Sequence, residues 1–339
     1  RGRTLSGQAI QSRNRLAFQR VRPLFGYIEF WGSHFERSMS SELLTVETSL
    51  EAPGRLAGVA GVVGSESRAV DGAASAGLAE RSVASADRAG WMPLASDYVQ
   101  LTKPRIVTMI LVTTVASAMV AAGGWIAPLS LLWLLVGTGA VAASAGAGNQ
   151  IWERKIDRQM VRTASRPLPD DRLGTVSASV VAALLGIGGT WLLAECFGLI
   201  PTMAGAVTWL LYVLIYTPMK TRTAWNTTVG AVAGALPMLI GYTALGGTLN
   251  DASAWLLVAV LVAWQYPHFM AIAWIYRHQY AKAGFRMTTT EDPSGRLASQ
   301  QSVAGCLVLI ACGLALCWTP GASIAAWVAS AVVLGSVSY

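Results

Sequence analysis

Long apolar runs separated by short polar segments are the main feature of this chain. We count eight of them, at residues 106–122, 128–148, 175–195, 200–216, 227–246, 253–275, 302–318 and 321–338. A helix rises about 1.5 Å per residue, so it needs about 20 residues to cross a hydrocarbon core of about 30 Å. Each run approaches this length. Residues 1–97 are instead polar and Arg-rich. The pattern predicts an all-α, polytopic membrane helix bundle over residues 98–339, preceded by a disordered N-terminal extension over residues 1–97.

The composition supports a lipid bilayer as the surroundings of the bundle. Only 13% of the residues are charged and 53% are hydrophobic, whereas a typical soluble domain is about 25% charged. A very apolar soluble bundle is the alternative, and eight runs argue against it. The net charge of +7 arises largely from the loops on one side and from the N-terminal segment, so no nucleic-acid partner is expected. Four cysteines without metal-ligand spacing are interpreted as small buried hydrophobes: Cys196, Cys306, Cys312 and Cys317.

The distribution of Lys and Arg between the loops predicts the orientation of the bundle. The loops after the first, third, fifth and seventh runs contain no Lys or Arg, whereas the loops on the opposite side contain many. The positive-inside rule places that basic side in the cytoplasm, which we expect to be bounded by a bacterial plasma membrane. The alternative is the matrix side of a mitochondrial inner membrane, because the first 38 residues contain seven Arg and two Glu, a composition that a transit peptide tolerates.

A polar segment after the second run carries the first candidate site. Asn149, Glu153 and Asp157 follow one another at four-residue spacing, which places them along one face of a helix. Oxygen ligands in such a row suit Mg²⁺, which takes one or two carboxylates and leaves its other positions to water and substrate phosphates. The alternative is a solvated helix end with i,i+4 ion pairs. Five cations surround the row: Arg154, Lys155, Arg158, Arg162 and Arg166.

Three further polar segments fall on the same side of the bundle. They are Lys103-Pro104-Arg105, the segment 216–223 with Lys220 and Arg222, and the segment 276–287. A channel or solute carrier would more often place ionisable residues at the membrane midplane, but the runs here are nearly free of charge, Glu195 excepted. Four basic or polar segments are therefore expected to converge on one anion-binding surface.

An aromatic cluster lies inside the sixth run. It consists of Trp264, Gln265, Tyr266, Pro267, His268 and Phe269. We expect Pro267 to break the helix locally, which frees backbone groups that need partners. A buried imidazole beside aromatic rings suits a haem iron or a hydrogen bond to a substrate. The alternative is a histidine satisfied by a neighbouring helix.

Taken together, these segments resemble the protohaem IX farnesyltransferase (haem O synthase) branch of the UbiA superfamily of intramembrane prenyltransferases. The resemblance covers about residues 97–339, with the motifs in family order. The matching motifs are L-T-K-P-R-I at 101–106, N-x-x-x-E-x-x-x-D-R-x-M-x-R-T-x-x-R-P-L at 149–168, Y-T-P-x-K-x-R-T at 216–223 and W-Q-Y-P-H-F at 264–269. The last motif separates this branch from the quinone and chlorophyll branches.

The resemblance implies nine transmembrane helices around a central cavity, capped by polar loops on the cytoplasmic side. With eight runs visible, the chain is expected to stop short of the last helix. It also implies Mg²⁺-dependent transfer of farnesyl from farnesyl diphosphate to a vinyl group of haem B, yielding haem O. Haem A synthase or the assembly of a terminal oxidase would then be a downstream partner.

The resemblance also assigns roles to residues. The metal-binding and catalytic row is Asn149, Glu153 and Asp157. The cations expected to bind the diphosphate are Lys103, Arg105, Arg158, Arg162, Arg166, Lys220 and Arg222. The residues expected to line the haem and prenyl cavity are Trp264, Gln265, Tyr266, His268 and Phe269.

Two positions depart from the family pattern. Glu153 stands where the family usually has Asp, and Gln279 stands where an acid is expected. The second change puts a further metal contact in doubt unless Glu291 or Asp292 reaches the site. Two alternatives therefore stay open: a UbiA-type enzyme with another acceptor, such as a quinone ring, and a transporter or haem-binding membrane protein without catalytic activity.

Overall fold

The computed structural model describes residues 91–319. Within this range the regular secondary structure is helical, and there is no strand. The predicted eighth run, residues 321–338, lies outside the described residues, as does the N-terminal extension up to residue 90. The first helix of the described residues begins at Trp91, inside the segment 1–97 predicted as an extension.

We number the helices of the described residues in chain order. They are α1 (Trp91–Leu101), α2 (Pro104–Ala122), α3 (Pro128–Asp157), α4 (Val161–Ala164), α5 (Thr175–Phe197), α6 (Leu199–Leu210), α7 (Thr217–Met219), α8 (Asn226–Ala235), α9 (Pro237–Ala244), α10 (Ala252–Ile275), α11 (Arg277–Lys282), α12 (Thr288–Glu291) and α13 (Arg296–Leu316). A π-helical turn, Leu211–Tyr216, joins α6 to α7.

Seven helical segments of the described part are long and apolar enough to cross a membrane. They are Pro104–Ala122, Pro128–Asp157, Thr175–Phe197, Leu199–Met219, Asn226–Ala244, Ala252–Ile275 and Arg296–Leu316. These correspond to the first seven predicted runs, which are thereby confirmed as helices.

Exposed tryptophans mark both ends of two of these spans. Trp133 and Trp152 are exposed on α3, and Trp255 and Trp274 are exposed on α10. In each pair the two residues are about 19 positions apart, which corresponds to about 28 Å along a helix. This distance is close to the thickness of a hydrocarbon core, and tryptophans concentrate at the two membrane interfaces. We call the residues Trp152 and Trp274, at the end with the charged loops, the inner aromatic belt.

The outward faces of the spans are apolar, as expected of helices in contact with lipid. This explains why the prediction of buried cysteines was wrong. Cys196, Cys306 and Cys317 are exposed and Cys312 is half-buried. A sequence does not distinguish an apolar residue that faces lipid from one that faces the interior of a bundle.

Glycines allow the spans to approach one another closely. A Cβ atom on Gly241 of α9 would lie 2.0 Å from the carbonyl oxygen of Thr114 on α2. A Cβ atom on Gly189 of α5 would lie 2.8 Å from the carbonyl oxygen of Gly137 on α3. Backbones in direct contact of this kind hold helices together in a bilayer, where van der Waals packing replaces the hydrophobic effect.

Helix α10 continues through Pro267, so the expected break is wrong. The proline ring leaves the Ala263 carbonyl, four residues earlier, without its usual N–H donor. Helix α13 packs directly over this point, because Gly305 has no side chain: a Cβ atom there would lie 2.9 Å from the Ala263 oxygen and 3.0 Å from the Pro267 ring. Packing against α13 thus holds the helix together where an isolated sequence would kink.

Candidate active site

The predicted row of oxygen ligands lies on the last turns of α3. The helix does not end with the apolar run at residue 148 but continues to Asp157. Asn149, Glu153 and Asp157 are all buried, with 1%, 4% and 2% of their surface exposed. Trp152, on the same turns, is exposed. The row therefore faces the interior of the bundle at the level of the inner aromatic belt.

Each carboxylate of the row forms an ion pair with a cation from another segment. Lys220 Nζ, just after α7, lies 2.9 Å from Glu153 Oε1. Arg166 Nη1, in the loop after α4, lies 2.8 Å from Asp157 Oδ2. The predicted convergence of separate basic segments on this helix face is thus observed for Lys220 and Arg166.

The amide of the row is held from both ends. Lys103, which precedes α2, donates a hydrogen bond from Nζ to Asn149 Oδ1. Asn149 Nδ2 donates at 3.0 Å to Thr217 Oγ1 at the start of α7. Asn149 therefore connects two of the basic segments, the one before α2 and the one around α7.

Burial acts to lower the pKa of both lysines, whereas the neighbouring charges act on the two pKa values in opposite directions. Burial, together with the neighbouring cations Arg166 and Lys220, lowers the pKa of Lys103 to about 7. For Lys220 burial also acts to lower the pKa, but the adjacent Glu153 carboxylate outweighs it and raises the pKa above its usual value. Lys220 therefore keeps its positive charge over the pH range in which Lys103 loses its own.

Unusual backbone geometry places Lys103 over the row. Its φ of 55° and ψ of 61° lie in the left-handed region, which is costly for a residue other than glycine. Gln150, buried on α3, supports this conformation by donating at 2.9 Å to the Leu101 carbonyl at the end of α1. Gly146 leaves room for the Thr102 carbonyl, which would lie 3.1 Å from a Cβ atom there.

Aromatic rings surround the Lys220 ammonium group. It lies 4.7 Å from the centroid of the Tyr216 ring and 5.8 Å from that of Phe285. Phe285 is buried in a cluster with Met160 and Tyr280. The segment 276–287 thus contributes an aromatic wall beside the cation, which stabilises the charge through cation–π contacts.

Among the described residues, the remaining predicted diphosphate-binding cations form no ion pair with the row. Arg158 forms a surface ion pair with Asp171. Arg162 stacks on the Tyr276 ring, with its guanidinium carbon 5.0 Å from the centroid. The side chains of Arg105 and Arg222 are exposed, and among the described residues neither forms an ion pair with the row.

The departure at Gln279 leaves a buried amide oxygen, Oε1, without a hydrogen-bond partner among the described residues. Neither nearby acid replaces the missing carboxylate. Asp292 accepts hydrogen bonds from Ser294 and from the Leu297 N–H at the start of α13, and Glu291 is exposed. Within residues 91–319 no three His, Cys, Asp or Glu side chains form a group that could hold a metal.

Two residues of the aromatic motif on α10 connect helices. Gln265 is buried and donates at 2.9 Å to the Ala231 carbonyl of α8. Tyr266 donates at 2.9 Å from its hydroxyl to Thr228 Oγ1, also on α8. These contacts fix α10 against α8.

The other members of the motif form a partly buried aromatic stack. The ring of His268 lies parallel to that of Trp264, with centroids 4.9 Å apart, and 5.8 Å from the ring of Phe269. This group offers flat apolar surface and an imidazole.

Three residues at the site were not predicted from the sequence. Gln150 supports Lys103, Thr217 bonds to Asn149, and Phe285 contacts Lys220. Thr217 and Phe285 lie close in sequence to Lys220 and Arg286, within two of the polar segments, and this proximity is a usable signal. Gln150 carried no signal beyond its position next to Asn149.

Comparison with protein families and curated proteins gives consistent matches. The profile of the UbiA prenyltransferase family matches residues 110–339. The chain is 57% identical over 240 residues to the protoheme IX farnesyltransferase of Rhodopirellula baltica, covering 70% of this chain and 83% of that protein. It is 42% identical over 223 residues to the protoheme IX farnesyltransferase of Solibacter usitatus, covering 63% and 76%.

The fold is also similar to solved structures. One is a UbiA homologue from Archaeoglobus fulgidus bound to DMAPP and Mg²⁺, which superposes with a TM-score of 0.56 at 15% identity and covers 71% of this chain and 86% of that one. At this identity the likeness establishes the fold alone.

Proposed function

Because this chain belongs to the UbiA prenyltransferase family, we propose that it transfers farnesyl from farnesyl diphosphate to a vinyl group of haem B, which yields haem O. Seven apolar helices together with family membership make it an integral, multi-pass membrane protein. One observation carries the proposal: the oxygen row of α3 is buried and each member is contacted by a cation from another segment. Such an arrangement suits an anionic substrate and its counter-ion.

The donor set fits Mg²⁺. Glu153 and Asp157 supply carboxylates and Asn149 supplies an amide oxygen, all three buried, and Mg²⁺ prefers oxygen ligands and shares its remaining positions with phosphates. When bound, Mg²⁺ would supply Lewis-acid stabilisation of the departing diphosphate. We assign the holding of the metal to these three residues.

The cations of the site would act on the same leaving group. Lys103, Lys220 and Arg166 lie against the row already, so their charges are preorganised for a diphosphate and need little rearrangement. As the allylic C–O bond breaks, the diphosphate keeps the electron pair and the farnesyl group becomes a cation. Positive charge at these three positions stabilises the diphosphate as its negative charge grows.

The apolar surroundings would protect the farnesyl cation from premature capture by water. Tyr216 and Phe285 beside Lys220, and the Trp264–His268 stack on α10, offer aromatic surface for it. The vinyl group of haem B then attacks the cation, and water adds to the new carbocation, which leaves a hydroxyl group and releases a proton. We assign His268 and the neighbouring rings to positioning the haem.

The loop charges and the bacterial relatives support a proposal for the cellular setting. We propose a bacterial plasma membrane with the site on the cytoplasmic side, where Lys103, Arg166 and Lys220 lie. A haem A synthase or a terminal oxidase would consume the product.

The test uses the purified full chain in detergent with haem B, farnesyl diphosphate and Mg²⁺. Extracted haem is analysed by mass spectrometry for a hydroxyethylfarnesyl adduct, with EDTA as one control. Glu153→Gln should abolish the adduct. Glu195→Gln is the matched control, because Glu195 is exposed at the opposite end of α5, and it should retain activity.

Two results would contradict the proposal. Prenylation of an added quinone in place of haem would indicate another acceptor. Haem binding without any adduct, from a folded protein, would favour a non-catalytic haem-binding role and would give weight to the neutral residue Gln279.

A further inference from the structure

We propose that Thr217 is a positioning residue that fixes which end of the Asn149 amide faces the oxygen row. The inference rests on the proposed function, in which the Asn149 oxygen is a metal ligand. It concerns a residue that touches neither metal nor substrate. Its effect is transmitted through Asn149 alone.

The first step is the direction of the hydrogen bonds at Thr217. A hydroxyl group has one proton to donate and two lone pairs to accept with. Thr217 donates that proton at 2.8 Å to the carbonyl oxygen of Tyr212. Its oxygen can therefore only accept, and the partner 3.0 Å away on Asn149 is the donating Nδ2.

The second step comes from the other end of the amide. Lys103 contacts Asn149 Oδ1, and in its protonated form, the form that would bind a diphosphate, its ammonium group can only donate. Two independent neighbours thus impose the same orientation on a side chain whose ends have nearly the same shape. An amide oxygen has two lone pairs, so the bond from Lys103 leaves one for a cation.

Local backbone geometry makes this arrangement possible. Thr217 follows the π-helical turn Leu211–Tyr216, and its own N–H also bonds to the Tyr212 carbonyl, five residues earlier. In a regular α-helix that N–H would bond to Val213, and a threonine hydroxyl would reach back three or four residues. The widened turn directs the hydroxyl proton to Tyr212 and leaves the oxygen facing Asn149. Single π-helical turns are frequent at functional sites.

Loss of the hydroxyl should release the orientation of the amide. In a Thr217→Val variant only the Lys103 contact would favour this orientation, and a bound diphosphate would compete for Lys103. The amide could then turn its N–H groups toward the row and toward the cation. A carboxylate at position 149 has two equivalent oxygens and presents one in either orientation. The effect of Thr217 should therefore depend on which residue occupies position 149.

The experiment is a double-mutant cycle of the parent chain, Thr217→Val, Asn149→Asp and the double variant, all full-length in detergent. Mn²⁺ affinity is measured by the electron paramagnetic resonance of free Mn²⁺. The probe is Mn²⁺ with farnesyl thiodiphosphate, and the same mixture without protein is the blank. Thr217→Val should weaken Mn²⁺ binding about tenfold in the Asn149 chain, the scale of a lost orienting partner. In the Asn149→Asp background it should change the affinity less than about twofold, and Thr217→Ser should restore the parent value.

Several results would overturn the inference. An equal loss in both backgrounds would mean that Thr217 has only a packing role, and no loss in either would mean that Asn149 is oriented by something else. Thr217→Ala provides the same comparison without added volume if Thr217→Val fails to fold. Absence of Mn²⁺ binding by the parent chain would remove the basis of the inference. Mn²⁺ binding without a haem product would instead contradict the haem reaction and leave the cycle valid.

Discussion

At the scale of single residues, the carboxylates of the site are already paired with cations. Glu153 is held by Lys220 and Asp157 by Arg166, with all four side chains largely removed from water. A buried charge that loses its partner costs about 3–5 kcal/mol. A metal ion therefore competes with these cations for the carboxylates. A diphosphate would offer the two cations a new partner and so release the carboxylates.

The first prediction is that metal and diphosphate bind cooperatively. Mn²⁺ should bind the chain at least about tenfold more tightly in the presence of farnesyl thiodiphosphate than in its absence, a coupling of the usual size between two sites. Paramagnetic resonance of free Mn²⁺ measures both affinities. Lys220→Met should raise the affinity for Mn²⁺ alone, because Glu153 loses its competing partner. Equal affinities with and without the analogue would contradict the idea.

The second prediction concerns pH. The pKa of Lys103 is lowered to about 7, so the lysine loses its charge as the pH rises from 7 to 9. A prenyl diphosphate is fully ionised above about pH 7, and it prefers the protonated lysine. In EDTA, its affinity should therefore fall by up to about tenfold per pH unit over that range, as linkage to one proton requires.

Lys103→Arg is the control for this effect, because arginine stays charged throughout. Calorimetric titration with farnesyl thiodiphosphate at several pH values makes the comparison. If the arginine variant shows the same slope as the parent, the pH dependence belongs to another group.

What could be predicted at this scale was the identity of the charged groups. Asn149, Glu153 and Asp157 are recognisable by their spacing, because a helix repeats every 3.6 residues. Their partners are not, because Lys103, Thr217 and Lys220 are brought to the row by contacts between distant parts of the chain. The Thr217 inference depends on the direction of a hydrogen bond, which cannot be predicted from the sequence.

At the scale of helices, hydropathy located the spans but not their ends. The apolar run ends at residue 148, but α3 continues to Asp157, as the four-residue spacing of its three polar residues predicts. The cause is that the polar turns are buried against neighbouring segments, and hydropathy cannot register such partners. The predicted break at Pro267 is wrong for the same reason, because α13 packs over the free carbonyl at Ala263.

Small residues at helix contacts carry the third prediction. Gly189 of α5 faces α3, and a Cβ atom there would meet backbone atoms of Gly137 and Val141 at 2.8 and 2.9 Å. Backbone cannot move aside as a flexible side chain does. Gly189→Ala should therefore lower the free energy of unfolding by about 1–3 kcal/mol, the usual cost of overpacking.

The adjacent glycine gives a matched control. Gly188 lies on the same helix, and a Cβ atom there would have no neighbour within 4 Å. Gly188→Ala should leave the stability unchanged or raise it slightly, since alanine favours helix by about 0.8–1.0 kcal/mol over glycine. Thermal unfolding in detergent compares the two. Similar effects of both substitutions would show that α3 and α5 are not in the close contact described.

At the scale of the whole molecule, the distribution of charged residues and that of exposed tryptophans indicate the same position of the spans in the membrane. The segments that hold Lys103, Arg166 and Lys220 meet at one end of the spans, and the connections at the other end contain no Lys or Arg among the described residues. Trp152 of the inner aromatic belt is exposed, and the next residue, Glu153, is buried. The oxygen row therefore lies where an amphiphilic substrate would have its charged end at the interface and its chain in the hydrocarbon.

The fourth prediction tests this orientation with single cysteines in a chain whose four native cysteines are replaced by alanine. Gln159 and Asn250 are both exposed, but they follow opposite ends of the spans. In intact bacteria, a membrane-impermeant maleimide should label Asn250→Cys at once and label Gln159→Cys only after permeabilisation. The reason is the cost of moving the many cations near Gln159 to the outer surface. Labelling of Gln159→Cys in intact cells would place the oxygen row on the outer side, away from the cytoplasm.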